Sequence, residues 1–228
     1  MKKTDEICVI VQARLGSQRI PQKMIRPFCG TTLTDISIEK IKRCQSFPID
    51  NFYLSVHEPE LVEIGNKHNI NIFNRSSKSA NSEGTPMTDM YEWWDKLNYK
   101  YCILVNACAP FLEASTIDTF FDAYLQTSSD GMFGVVKKKN YFWDQNGQLI
   151  TPLTEAVMNT KTTPPTYEAA HCLYAGRLDK IGHGIWMGDF NKPGDIKLFV
   201  MDEKETFDID YEWQFFLAQR MMVDQSHD

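Results

Sequence analysis

Two nucleotide-binding signatures are missing from this 228-residue chain: neither G-x-G-x-x-G nor G-x-x-x-x-G-K-[ST] occurs. Their absence removes support for a dinucleotide-binding turn and for a P-loop. Any C-x-x-C pair is missing too. The six cysteines stand at 8, 29, 44, 102, 108 and 172, a spacing that supports neither a zinc site nor a disulfide framework, so buried free thiols are expected. No apolar stretch approaches the roughly 20 residues of a membrane-spanning helix. The N-terminal apolar run is short and lacks a small-residue cleavage site, so no signal peptide is expected and the expected compartment is the cytoplasm. Positive charge is in deficit. A net charge of −6 argues against general nucleic-acid binding and leaves local cations to be read as a small-anion site. What is present is ordinary for a soluble globular protein: 43% hydrophobic and 24% charged residues, with enough chain for one domain, residues 1–228, around a sizeable core.

The most informative stretch is 9–28, VIVQARLGSQRIPQKMIRPF. Ile7 to Val11 is a short apolar run suited to a buried parallel strand. It breaks into a loop carrying Arg14, Gly16, Ser17, Arg19, Pro21 and Lys23. Three cations beside a glycine and a serine suit a triphosphate. Gly16 permits close backbone approach, Ser17 and nearby amides donate, and Arg14 grips phosphate bidentately. The alternative is a basic surface loop after an ordinary strand.

Strand-like and helix-like segments then alternate. Strands are expected at Phe52–Val56, Ile70–Phe73, Tyr101–Val105, Gly131–Val136, Cys172–Ala175 and Leu198–Met201. Helices are expected at Thr32–Arg43, Pro59–His68, Met87–Leu97 with Thr85 as its cap, Ala114–Leu125, and from about Trp213 to the C-terminus. This order predicts a doubly wound, mostly parallel, Rossmann-like α/β sheet that binds ligands at the C-terminal ends of its strands. The alternation fails between Lys137 and Ala170, a stretch with Trp143, Pro152, Pro164 and Pro165. It reads as a hairpin and a proline-rich excursion.

Near the C-terminus, Asp208 and Asp210 flank Ile209. Carboxylates at i and i+2 of an extended segment point the same way and can share a hard divalent cation such as Mg²⁺. The competing reading makes Asp210 the N-cap of the last helix. Asn106 ends a central strand, Arg75 follows another, and Ser79, Asn81 and Ser82 add polar groups nearby. His171 precedes a strand, and a lone histidine is more often structural. Trp186, Trp213, Phe215 and Phe216 are expected in the core.

Ala13 to Met24 resembles the opening A-R-x-G-S-[KT]-[RG]-[IL]-P-x-K of the CMP-sugar synthetases, the cytidylyltransferases of sialic acid, its bacterial relatives and Kdo; SpsF-type spore-coat proteins open similarly. Phe207–Trp213 resembles that family's closing D-I-D-T-x-x-D, Val105–Leu112 its L-L-Q-P-T-S-P-L-R, and Asn74–Pro86 its base-side R-P-x-x-L-A-x-D. The resemblance implies a nucleotide-diphospho-sugar transferase-like fold and transfer of CMP from CTP to an acidic sugar or related small acid, with release of pyrophosphate. It implies catalytic roles for Arg14 and Lys23, and nucleotide contacts from Ala13, Arg14, Gly16, Ser17, Arg19, Lys23, Arg75, Ser82 and Asn106. It also implies Mg²⁺ on Asp208 and Asp210, and a homodimer built through a 137–170 arm. Met24 and Leu112 stand where the sialic-acid pattern has Asn and Arg, so a different acceptor from N-acetylneuraminic acid is expected. A nucleotide-binding pseudoenzyme and a nucleotidyltransferase using another nucleotide remain the alternatives.

Overall fold

Strand β1 (Ile7–Gln12) lies at the centre because both of its faces find apolar partners. Ile7, Val9 and Val11 enter one core, while Cys8 and Ile10 enter the other. That two-sided burial is what a near-continuous apolar strand requires. In this computed structural model, which describes residues 1–81, 85–152, 159–184 and 186–225, β1 is joined by β2 (Phe52–Val56), β3 (Asn71–Asn74), β4 (Tyr101–Val105), β5 (Gly131–Lys138), β6 (Thr166–Arg177) and β7 (Ile196–Met201). They form one sheet in the order β3-β2-β1-β4-β6-β5-β7. β1 runs parallel to β2 and β4, β2 to β3, and β5 to β7. β6 runs antiparallel to both β4 and β5. The chain winds outward through β2 and β3, then returns to lay β4 on the other side of β1. That reversal opens a crevice beyond the C-terminal ends of β1 and β4, where open α/β sheets bind ligands.

The helices are α1 (Leu33–Lys42), α2 (Pro59–Lys67), α3 (Ser77–Ala80), α4 (Met87–Met90), α5 (Ala114–Gln126), α6 (Leu178–Ile181) and α7 (Glu212–Gln225). α1 begins where the Thr32 side chain accepts from the Asp35 amide, and its Leu33, Ile38 and Ile41 are buried at helical spacing. α2 starts with Pro59 in its first turn, where a missing N–H costs nothing.

Several expectations need correction. Met87–Leu97 is not one helix. α4 ends at Met90, Tyr91 leaves helical geometry, and a 3₁₀ turn over Glu92–Asp95 follows. The break turns Trp93 inward, where its indole N–H donates to Gln12 Oε1 at 2.9 Å and its ring meets Trp186 edge-on at 6.3 Å. Thr85 is no cap: Pro86 takes that position, and the Thr85 hydroxyl donates to the Asn81 carbonyl. Trp186 and Phe215 are core residues as expected, but Trp213 is 60% and Phe216 55% exposed. Of the cysteines, Cys29 is exposed and Cys108 half-buried, the other four buried, and all are free.

The 137–170 excursion is shorter than the sequence suggests. β5 and β6 stay paired out to Lys138 opposite Thr166, so both ends of the segment belong to the sheet. Beyond them, a bridge between Trp143 and Leu149 closes a small hairpin. Trp143 and Ile150 are exposed on this projection, and Tyr167 is exposed at its base, on β6. Residues 153–158 lie outside the described part of the chain.

Candidate active site

The loop after β1 is ordered by its own hydrogen bonds. The Ala13 amide donates to Ser55 O at 3.1 Å, extending the parallel ladder past the strand end. The Leu15 amide donates to Glu58 Oε1 at 2.8 Å, and Ile20 N to Ser17 Oγ at 3.4 Å. Ile20 is fully buried and pins the loop to the core. Gln22 takes a left-handed φ of 55°, an uncommon conformation for a side-chain-bearing residue. The next residue, Lys23, turns inward and is buried. Gly16 has no such conformational reason. Its φ is not left-handed, and an added Cβ would meet no heavy atom within 4 Å.

Lys23 Nζ donates to the Ile209 carbonyl and lies 3.9 Å from Asp210 Oδ1. Arg19 Nη2 lies 2.7 Å from the same carboxylate oxygen. Ala13, Arg14, Ser17, Arg19, Lys23 and Asp210 therefore border one cleft of about 520 Å³, floored by Met24 and Cys108. Arg14 reaches across it to the Ala80 carbonyl, 3.4 Å from Nη1.

Asp210 is not the cap of α7. The helix opens at Glu212 with Tyr211 ahead of it, and Gln214 Oε1, in its first turn, accepts from the Asp210 amide at 2.7 Å and the Tyr211 amide at 2.8 Å. Both aspartate side chains are thereby free of the helix end. Among the described residues, Asp208 Oδ1 is buried without a hydrogen-bond partner. Burial first, and the neighbouring Asp210 second, raise the Asp208 pKa, with Lys23, Asn106 and His171 opposing. Among the described residues, no group of three or more His, Cys, Asp or Glu side chains is placed to hold a metal. The residues present do fit an ion held jointly by protein and ligand. An orphaned carboxylate oxygen and a second carboxylate two residues on are hard donors, and Mg²⁺ commonly takes one or two carboxylates plus phosphate oxygens and water.

A second cavity of about 540 Å³ adjoins the first and shares Gln12 with it. Its walls are largely aromatic: Tyr91, Phe133, Tyr174, Trp186 and Phe190, with Asn106 and His171 at its polar side. Asn106 ties this corner together. Its Oδ1 accepts from the Cys108 amide at 2.8 Å, and its Nδ2 donates to the His171 carbonyl at 2.9 Å. His171 adopts φ 54°, beside the register shift between Phe133 and Val135. Strained backbone of this kind persists only where its surroundings hold it.

The expected residues thus separate into groups. Asn106 belongs to the aromatic cavity, not to the loop cleft. Arg75 is 5% exposed and faces Ser79: Nε donates to Ser79 Oγ at 3.1 Å and Nη2 to the Ser79 carbonyl. Burial lowers its pKa to about 10, with Glu58 opposing. Ser82 lies outside the described residues. Leu112 is 2% exposed in the core and borders a different groove from the aromatic cavity. Gln12, Glu58 and the aromatic walls escaped sequence reading. Gln12 left one signal, a polar residue closing an otherwise apolar strand.

A cytidylyltransferase family model matches residues 8–181. Post-translational flagellin modification protein B of Campylobacter coli is 22% identical over 97% of this chain and 97% of its own length. A pseudaminic acid cytidylyltransferase of Campylobacter jejuni is 26% identical over 61% of this chain and 64% of its own. The spore coat polysaccharide biosynthesis protein SpsF of Bacillus subtilis is 24% identical over 55% and 52%. Among solved structures, a CMP:2-keto-3-deoxy-manno-octonic acid synthetase complexed with CTP superposes with a TM-score of 0.70 at 10% identity, covering 96% of this chain and 99% of that one. A 4-diphosphocytidyl-2C-methyl-D-erythritol synthase from Anaerococcus prevotii gives 0.63 at 12% identity, covering 95% and 96%. These two likenesses establish the fold. With the family model spanning most of the sequence, from β1 through α6, the chain belongs to the cytidylyltransferase family.

Proposed function

We propose that this chain transfers CMP from CTP to a hydroxyl of an acidic sugar or related small acid. The acceptor oxygen bonds to the α-phosphorus, the bond from that phosphorus to the bridging oxygen breaks, and pyrophosphate leaves. One observation carries the reading: Arg14, Arg19 and Lys23 converge on one cleft with Asp210, at the switch point of a cytidylyltransferase-family sheet. Gly16 supports it, because neither backbone conformation nor packing requires a glycine there. The open space beside it leaves room for a phosphate to approach the backbone closely.

Arg14 and Arg19 bind the triphosphate, and Lys23 neutralises charge close to the reacting phosphorus. Arg75 acts from behind. It fixes the turn whose Ala80 carbonyl receives Arg14, and so orients that guanidinium. Asp208 and Asp210 would hold Mg²⁺, which supplies charge neutralisation at the phosphates and eases ionisation of the acceptor hydroxyl. Asn106 orients the acceptor where the aromatic cavity meets the carboxylates.

Two relatives bear on the acceptor by name alone: one a pseudaminic acid cytidylyltransferase, the other a CMP:2-keto-3-deoxy-manno-octonic acid synthetase. The aromatic walls favour an acceptor with apolar decoration over a fully hydroxylated one. The projecting hairpin pairs two copies into a homodimer, and the enzyme works in the cytoplasm, where CTP is made available. Mass spectrometry of mixtures of CTP, Mg²⁺ and single acidic sugars tests the reading. A CMP-linked product is expected, and its absence across a broad panel would overturn it.

A further inference from the structure

The mechanism above makes no use of Lys40, which is 3% exposed on α1, the first helix after the phosphate loop. Its ammonium donates to two backbone carbonyls, Ala109 O at 2.7 Å and Pro110 O at 3.4 Å. No carboxylate lies within ion-pair distance of it among the described residues. Burying an ammonium without an ion-pair partner is expensive, and an apolar side chain of similar volume would fill the space at less cost. Packing alone therefore does not account for a lysine here.

The other side of the same loop touches the carboxylate segment. The Cys108 carbonyl accepts from the Ile209 amide at 3.0 Å, and the Cys108 amide donates to Asn106 Oδ1 at 2.8 Å. Ile209 is fully buried between Asp208 and Asp210. Residues 106–110 thus form a splint, gripped from outside by Lys40 and gripping Ile209 from inside.

We infer that Lys40 is a positioning residue, which holds the Asn106–Pro110 loop so that the loop in turn sets the two aspartates and Asn106. Its meaning for catalysis rests on the function proposed above, but the splint itself does not. Other groups facing Lys40 are Arg43 and Cys44 at the end of its own helix, Cys172 on β6 and Glu205 in the turn after β7. The Cys44 and Cys172 thiols are pushed up to about 12, chiefly by burial, and stay neutral at physiological pH. Burial lowers the Lys40 pKa to about 7, with Arg43 adding to it. The ammonium grip therefore weakens as pH rises through that value.

Hydrogen exchange at the Ile209 amide, read beside calorimetric CTP binding with and without Mg²⁺, tests the inference in Lys40→Met. Exchange at Ile209 is expected to accelerate at least tenfold while β1 and β2 amides keep wild-type protection. Metal-free CTP binding is expected to persist, and the Mg²⁺ needed for full affinity to rise severalfold. Lys40→Arg, which keeps charge and donors, is expected to restore part of both. Wild-type exchange at Ile209 together with a wild-type Mg²⁺ requirement would overturn the inference. If Lys40→Met fails to fold, Lys40→Gln, which keeps a donor and loses the charge, takes its place with the same readouts, and wild-type exchange at Ile209 with a wild-type Mg²⁺ requirement overturns the inference. Failure of wild type to bind CTP at all would sink the proposed function instead, leaving the exchange result to decide Lys40.

Discussion

Arg19 and Asp210 hold each other across the mouth of the loop cleft, 2.7 Å apart and both partly solvent-exposed. An exposed ion pair of this kind contributes little to the stability of the fold, because water screens both charges. It is readily parted when a triphosphate claims the arginine and a metal claims the carboxylate. The pair therefore marks a site where ligand charges replace protein charges. Asp208 behind it is in a different position, since its carboxylate is buried beside Asp210 and its pKa is raised.

A raised carboxyl pKa means that the folded state holds that proton more tightly than the unfolded chain. The ionised group then opposes folding at neutral pH, and stability is regained as pH falls through the folded pKa. Asp208→Asn is accordingly expected to keep or raise the melting temperature, by on the order of 1–3 °C, while turnover at limiting Mg²⁺ collapses. Asp210→Asn is expected to raise the Mg²⁺ requirement or stop turnover. Normal turnover of both variants at limiting Mg²⁺ would show that the pair is structural.

Arg14→Ala is expected to fold normally and to lose activity by roughly a hundredfold or more, the effect of removing a charged donor from a phosphate in the transition state. Among the described residues its side chain makes one hydrogen bond, a long one to Ala80 O, so little stability depends on it. Circular dichroism beside steady-state kinetics checks both halves. A folded variant with near-normal kcat/KM would remove this loop from the site.

Much of this architecture was legible because the signals were local. Ile7–Val11 is an uninterrupted apolar run, and Arg14, Arg19 and Lys23 lie within ten residues of one another, so a single loop brings them together. Asp208 and Asp210 were legible for the same reason. What escaped reading depends on tertiary contact. The break after Met90 arises because Trp93 seeks Gln12 and Trp186, partners far away in sequence. The aromatic cavity draws its walls from the turn after α4, from β5 and β6, and from the segment after α6. Arg75 looked available because it follows a strand, but Ser79, four residues on, folds back to take its guanidinium.

Acid should expose a different pair. Burial opposes ionisation of Asp35, but hydrogen bonds from Thr32 and His68, and the charge of Lys67, outweigh it and hold its pKa below the ordinary 3.8. A depressed carboxyl pKa contributes stability that is present above the ordinary value and lost as pH falls through the folded one. Asp35→Asn is expected to lower stability at pH 7 by about 1–3 kcal/mol, with the difference from wild type shrinking below pH 3.8. Denaturant titrations at pH 7 and pH 3 measure it. An equal difference at both values would mean that packing, not charge, makes the contribution.

Trp143 and Ile150 are exposed on the projecting hairpin, and Tyr167 is exposed at its base on β6. An apolar patch of this sort is stabilised when a second copy covers it. Light scattering at micromolar concentration is expected to give twice the chain's mass, and Trp143→Glu to shift it toward the monomer. A monomeric wild type at high micromolar concentration would reject the arm as an interface.

The most direct measurement is pyrophosphate release from CTP, ATP, GTP and UTP in turn, each with Mg²⁺ and a panel of acidic sugars that includes N-acetylneuraminic acid. Release is expected with CTP far above the other three, and with an apolar-decorated acid above N-acetylneuraminic acid. Equal use of all four nucleotides would contradict the cytidylyl assignment, and no release from any of them would contradict turnover itself.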